Sequence, residues 1–331
     1  MNVARAGLLV LALSMVAIPV SAHVPSFPTD NTSPERAVEV PDAAKSWSFY
    51  DHIEGGEVAY YRFSLAAGER LRVGAFTPDS GAFAPSVVVM SESFEGTEGV
   101  PARVTVPEGM GALVVAGERP GRAEYEPFAP SATYHTASVD RPTDADAAYL
   151  VAVYEPANRS GEVGVTVGYR EEFSPTEYLT VPFDLVRVHL WEGQHPLLAV
   201  GPFVLSVLAG AVVGRRRWAE RSPSLGRVAL GVGASLVLAS GVNTAVQTVV
   251  ALTKTGPTAG VAVTALYVVV PLACGGWALW VAGRDAPVTA PRTRTGLAVA
   301  ALASVATWAG FLVGPVVLLA VAVTPTRVLD G

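Results

Sequence analysis

Four long apolar stretches, at residues 195–213, 227–252, 258–282 and 296–323, limit the possible folds of this chain more than any other feature. Each is close to or above the ~20 residues that cross a bilayer as a helix. Backbone in lipid must bond to itself, so they read as four transmembrane helices forming an all-α membrane domain. Their flanks are sorted by charge. Arg215, Arg216, Arg217, Arg221 and Arg227 follow the first stretch, and Arg284, Arg292 and Arg294 follow the third. The middle connection holds Lys254 and the tail Arg327. Basic connections stay on the cytoplasmic side. The split of 8 against 2 therefore predicts a protein of the cell membrane. Residues before 195 are expected outside the cell, as is the tail 324–331.

The N-terminus supports export. Arg5, an apolar run over 7–20 and the small residues Ser21 and Ala22 have the layout of a secretory signal over 1–22. Cleavage after Ala22 would make His23 the first mature residue. Residues 23–193 hold 26 acidic and 12 basic residues. Such a balance repels nucleic acid and anionic lipid surfaces, so no nucleic-acid partner is expected for the head. The single cysteine, Cys274, lies in the third apolar stretch. The head therefore has no disulfides and must be held by its own core.

The head reads as strands. Residues 57–65 place Tyr61, Phe63 and Leu65 on one face, and 70–76 place Leu71 and Val73 on one face, with a turn at Gly68 and Glu69 between them. Alternation also marks 46–50, 86–90, 102–106, 111–115, 148–154 and 162–169, the last two joined by a turn over 155–161. Period-two patterning between turns predicts an antiparallel β-sandwich over 23–175. Tyr61, Phe63, Leu65, Leu71, Val73, Val151, Val153, Val165 and Val167 are expected to face inward. The segment 121–142, with Tyr125, Phe128, Tyr134 and His135, reads as a long irregular loop. Residues 176–194 read as a juxtamembrane amphipathic segment, with Tyr178 and Trp191 at headgroup level.

The run Gly56-Glu57-Val58-Ala59-Tyr60-Tyr61-Arg62-Phe63-Ser64-Leu65-Ala66-Ala67-Gly68-Glu69-Arg70-Leu71-Arg72-Val73 resembles the core of bacterial pre-peptidase C-terminal domains. The stretch 148–168, ending Gly161-Glu162-Val163-Gly164-Val165-Thr166-Val167-Gly168, resembles their closing hairpin. The resemblance implies a small secreted β-sandwich, without the acidic calcium-binding pattern that some of those domains carry. The whole chain also resembles uncharacterised archaeal membrane proteins with a head-plus-spans layout. The stretches Tyr125-Glu126-Pro127-Phe128, Gly168-Tyr169-Arg170-Glu171-Glu172-Phe173 and His189-Leu190-Trp191-Glu192-Gly193-Gln194 recur in these.

Candidate chemistry is sparse. No charged residue stands mid-span, so the mark of an ion path is missing. Asn243 and Gln247, four apart, fit interhelical hydrogen bonding, and Pro271 and Pro315 are expected to kink their helices. No nucleophile motif accompanies His52 or His135, so no enzyme and no cofactor are expected. A mature N-terminal His23 would offer an amine and an imidazole, donors suited to Cu(II). Among His52, His135, His189 and His195, His135 is the preferred second ligand because it sits in a long loop. Asn31 and Asn158 head glycosylation sequons. The leading expectation is a non-enzymatic surface protein whose head serves interaction or envelope organisation, with the bilayer and a surface or protein partner around it. The alternatives are a copper-binding or copper-delivering membrane protein, and an accessory or sensor subunit of a transport complex.

Overall fold

The computed structural model describes residues 23–78, 81–218, 223–284 and 287–329. The expected signal, with its cleavage after Ala22, lies outside the described residues. Two compact units divide between Gly193 and Gln194.

The first unit holds two β-sheets. Its strands are β1 (Val24–Ser26), β2 (Val38–Glu39), β3 (Trp47–Ile53), β4 (Val58–Leu65), β5 (Arg70–Thr77) and β6 (Ser86–Ser91). They continue with β7 (Gly111–Val115), β8 (Glu124–Glu126), β9 (Ser131–Pro142), β10 (Ala147–Tyr154) and β11 (Gly161–Val167). The six-stranded sheet runs β1-β3-β11-β5-β9-β8 and the five-stranded sheet β2-β4-β10-β6-β7. Pairing is antiparallel except that β1 joins β3, and β2 joins β4, in parallel. The inner faces share one core, where Phe49, Val73 and Val165 of one sheet meet Tyr61, Phe63 and Val151 of the other. All nine residues expected to face inward lie in that core.

Two segments differ from expectation. Residues 121–142 are largely strand: β8 pairs with β9, and β9 runs beside β5 from Arg70↔Pro142 to Thr77↔Tyr134. Its inward residues are small (Ala132, Ala137, Val139), and a register shift at Ala75/Phe76 interrupts the alternation. The apolar alternation at 102–106 is not a strand. Val104 instead covers the outer face of the five-stranded sheet, beside Tyr60, Met90 and Leu150.

Residues 175–191 form helix α1 (Pro175–Trp191), part of this same unit. Its start is fixed by a reciprocal cap between Ser174 and Glu177, with Pro175 in the first turn, which satisfies donors that a helix start leaves open. Lys45 anchors that turn, its Nζ 2.6 Å from Glu177 Oε1. At the other end Trp191 packs edge-on against Tyr50 and Phe76 and donates to the Asp51 carbonyl at 2.8 Å. Trp191 is thus a packing residue of the β-rich unit rather than a headgroup anchor.

The second unit is helical: α2 (Pro196–Ala199), α3 (Gly201–Trp218), α4 (Leu225–Thr255), α5 (Val261–Ala282), α6 (Pro291–Val305), α7 (Val313–Val323) and α8 (Thr326–Leu329). Among the described residues, α4 and α5 are each long and apolar enough to cross a membrane. The stretch 195–213 is split at Val200 into α2 and α3, and three arginines fill the last turn of α3. The stretch 296–323 is not one straight span: its two halves are bent by 119°. The break is built from Trp308, Gly310, Phe311 and Leu312, all with positive φ. Pro315 stands at the start of α7 instead of kinking a longer helix, and α5 continues through Pro271.

Gly310 N, at the bend, donates to Ser240 Oγ at 2.7 Å, 15 residues, or about 22 Å, along α4 from Leu225. A Cβ at Gly226, in the first turn of α4, would meet Leu329 at 3.0 Å and Val288 at 3.3 Å. The C-terminal helix therefore packs at the end of α4 that adjoins the arginine-bearing connections. Gln247 makes the expected interhelical bond, its amide donating to the Leu198 carbonyl at 3.0 Å.

Candidate functional site

Alternation along the six-stranded sheet sends Phe49, Val165 and Val73 inward and leaves Ser48, Tyr50, Thr166, Phe76 and His135 on the outer face. Such an aromatic outer face needs cover, and α1 supplies it with Leu185, Val188 and Glu192. Gly164 is required beneath: a Cβ there would overlap the Phe76 ring. Cover is incomplete toward the start of the chain. A cleft of about 40 Å³ remains, lined by His23, Tyr50, Glu126, His135 and Glu192 among others. That space suits an ion or one or two waters rather than an organic substrate.

His23 immediately precedes β1, and β1 is fastened to the sheet by Val24 N donating to the Ser46 carbonyl at 2.9 Å. Its Nδ1 hydrogen-bonds Ser46 Oγ at 2.5 Å. With the hydroxyl as donor, the Nδ1 lone pair points outward from the ring, in the tautomer that a metal would use. Burial, then Arg72 and His135, lower the His23 pKa to about 4, so its imidazole is neutral at physiological pH. His135 arrives from β9 and rests against Phe76, ring centroids 5.5 Å apart. It is exposed at the cleft rim, yet its crowded surroundings lower its pKa against the pull of Glu124. Across the cleft, burial, with Glu171 adding to it, raises the Glu126 carboxyl to about 7 despite the Phe128 N–H that it accepts. Tyr50 is pushed up by burial, then by Glu126 and Glu192.

The other histidines stand elsewhere. His52 pairs with Glu162 on the surface at 3.0 Å, His189 is buried against Glu192 at 3.2 Å, and His195 caps α2 through Leu197 N. Of the two sequons, Asn158 is exposed in a turn, whereas Asn31 is buried with its amide donating to Asp51 at 3.0 Å. Asn31 therefore offers a folded surface no glycan site.

Among the described residues no three His, Cys, Asp or Glu side chains stand together as a metal set. The cleft gathers two imidazoles, and a third nitrogen would come from the α-amine that cleavage before His23 releases. The expected cleavage point singles out His23, and His135 is singled out for a loop that is in fact strand β9; Tyr50, Glu126 and Glu192 are not singled out. Glu192 reaches the cleft only through the docking of α1, which no local pattern announces. Compared with known proteins, the chain matches no family model and no curated protein.

Proposed function

We propose that this chain is an exported, membrane-anchored, non-enzymatic binding protein that holds Cu(II) in the cleft between His23 and His135. The observation that carries this reading is the meeting of two histidines, 112 positions apart, in one cleft. The first of them stands directly before a strand pinned to the sheet. Amine and Nδ1 of His23 would form a chelate, and His135 would close a three-nitrogen set suited to Cu(II). Metal would take over the Nδ1 lone pair from Ser46. The resemblance to secreted pre-peptidase C-terminal domains supports an extracytoplasmic head.

The helical unit is the anchor in this reading, its arginine-bearing connections facing the cytoplasm. The chain enters along α3, crosses outward on α4 and returns on α5. The pair α6–α7 is re-entrant from the cytoplasmic side, its tip near the midpoint of α4. Irregular backbone at that depth is tolerated because protein surrounds it. The C-terminus then lies in the cytoplasm, in place of the extracellular tail that charge alone suggests.

Cu(II) titration of the purified mature chain tests the binding reading. The comparison set is His23→Ala, His135→Ala and a variant with one glycine inserted before His23. Losing one nitrogen donor should weaken binding about 100-fold in each. The glycine insertion keeps the imidazole and displaces the amine, so it separates a chelate from an ordinary surface histidine. Equal affinity in all four proteins would refute the site.

A further inference from the structure

The helical unit carries a second cavity, quite unlike the first. Between α3 and α5, with α4 as its floor, lies an open groove of about 760 Å³. Its size falls in the range of sites that bury a small ligand. The groove exists because the helices meet through glycine. A Cβ on Gly210 would overlap the Ser235 side chain, and one on Gly231 would come within 2.8 Å of the Trp218 ring. Along its floor the groove runs from Val228 to Leu238, about 15 Å of helix. Val213, Val232 and Trp280 remain more than half exposed along it.

One end of this apolar groove is basic. Arg215 and Arg217 line it, and Arg217 reaches across from α3 to the Gly283 backbone at the end of α5. Arg284, beside them in the fold, lies over the Trp280 ring at 4.3 Å. The arrangement is an apolar channel closed at one end by guanidinium groups, which bind phosphate oxygens in a bidentate way.

We infer that this groove is a binding site for an anionic phospholipid, its phosphate on Arg215 and Arg217 and one acyl chain along α4. Charge decides between the possible occupants. A second copy of the chain packed here by two-fold symmetry would bring the same arginines face to face, whereas a phosphodiester neutralises them. In the proposed topology the site opens to the cytoplasmic leaflet. The inference rests only on the helical unit lying in a bilayer, which membrane fractionation of each variant checks separately.

The test uses the full chain in mild detergent, with phosphatidylglycerol and phosphatidylcholine as probes and native mass spectrometry as readout. The wild-type chain should retain one phosphatidylglycerol per chain in preference to phosphatidylcholine. The double variant Arg215→Gln/Arg217→Gln should lose that preference about tenfold while keeping weak neutral-lipid binding. Val232→Trp, which fills the groove, should lose both. Arg292→Gln/Arg327→Gln, which removes two exposed charges elsewhere, should behave as wild type. Equal phosphatidylglycerol binding in the two double variants would overturn the proposal. So would a lipid-free dimer that Val232→Trp dissociates.

Discussion

Glu126 costs the head stability at neutral and alkaline pH. Its carboxyl is turned into the cleft and titrates near 7 instead of near 4.5, chiefly because burial penalises its charge. A carboxyl raised in the folded state takes up a proton on folding. Its cost is therefore absent below about pH 4.5 and grows through pH 7, reaching roughly 3 kcal/mol once the folded state must hold the charge. Glu126→Gln should stabilise the protein by up to about that amount at pH 8 and change little at pH 4.5. Urea unfolding followed by tryptophan fluorescence at the two pH values checks this, and the same gain at both would contradict it. Ser46 makes the opposite kind of contribution. Its hydroxyl occupies His23 Nδ1, so Ser46→Ala should bind Cu(II) at least as tightly as wild type. A marked loss would mean that Nδ1 is not the ligating atom.

At the scale of elements, what could be read depended on side-chain size. β4 and β5 announce themselves because large inward residues alternate with polar ones: Tyr61, Phe63, Leu65, then Leu71 and Val73. The Phe63 ring is 1% exposed and stacks on Tyr149 at 5.6 Å. Phe63→Ala should therefore cost about 3–5 kcal/mol in the same unfolding experiment, and a loss below 1 kcal/mol would contradict its place in the core. β9 is silent in the sequence because alanine fills its inward positions, and its buried Thr136 looks polar. That hydroxyl is satisfied by the Pro85 carbonyl at 2.7 Å, a partner 51 residues away. Residues 102–106 mislead in the other direction. Their apolar alternation serves a cover over the outer face, held by Thr105 N donating to Tyr60 Oη at 2.9 Å. Trp191 reads as an interfacial aromatic until α1 is seen lying on the sheet. Local periodicity reports which face of an element is apolar, but not which neighbour covers it.

For the whole molecule, the charge pattern and the helix packing make separate statements, and the C-terminus is where they part. Charge alone puts residues 324–331 outside. Leu329 packs beside Gly226, in the first turn of α4, next to the arginine-bearing connections, and the two halves of 296–323 are bent by 119°. In a Cys274→Ala background, cysteine at Arg327 should resist a membrane-impermeant thiol reagent in intact cells, as should cysteine at Ser222, while cysteine at Ser160 reacts. Labelling at Arg327 without labelling at Ser222 would restore a fourth crossing. In the proposed site, the N-terminus freed by export and a distant strand hold the metal between them. Electron paramagnetic resonance of the mature chain loaded with one equivalent of Cu(II) tests it most directly. Hyperfine structure from three nitrogens is expected, reduced to two in His135→Ala and in the glycine-extended variant. A spectrum with fewer than three nitrogens in the wild-type chain, or one unchanged by both variants, would contradict it.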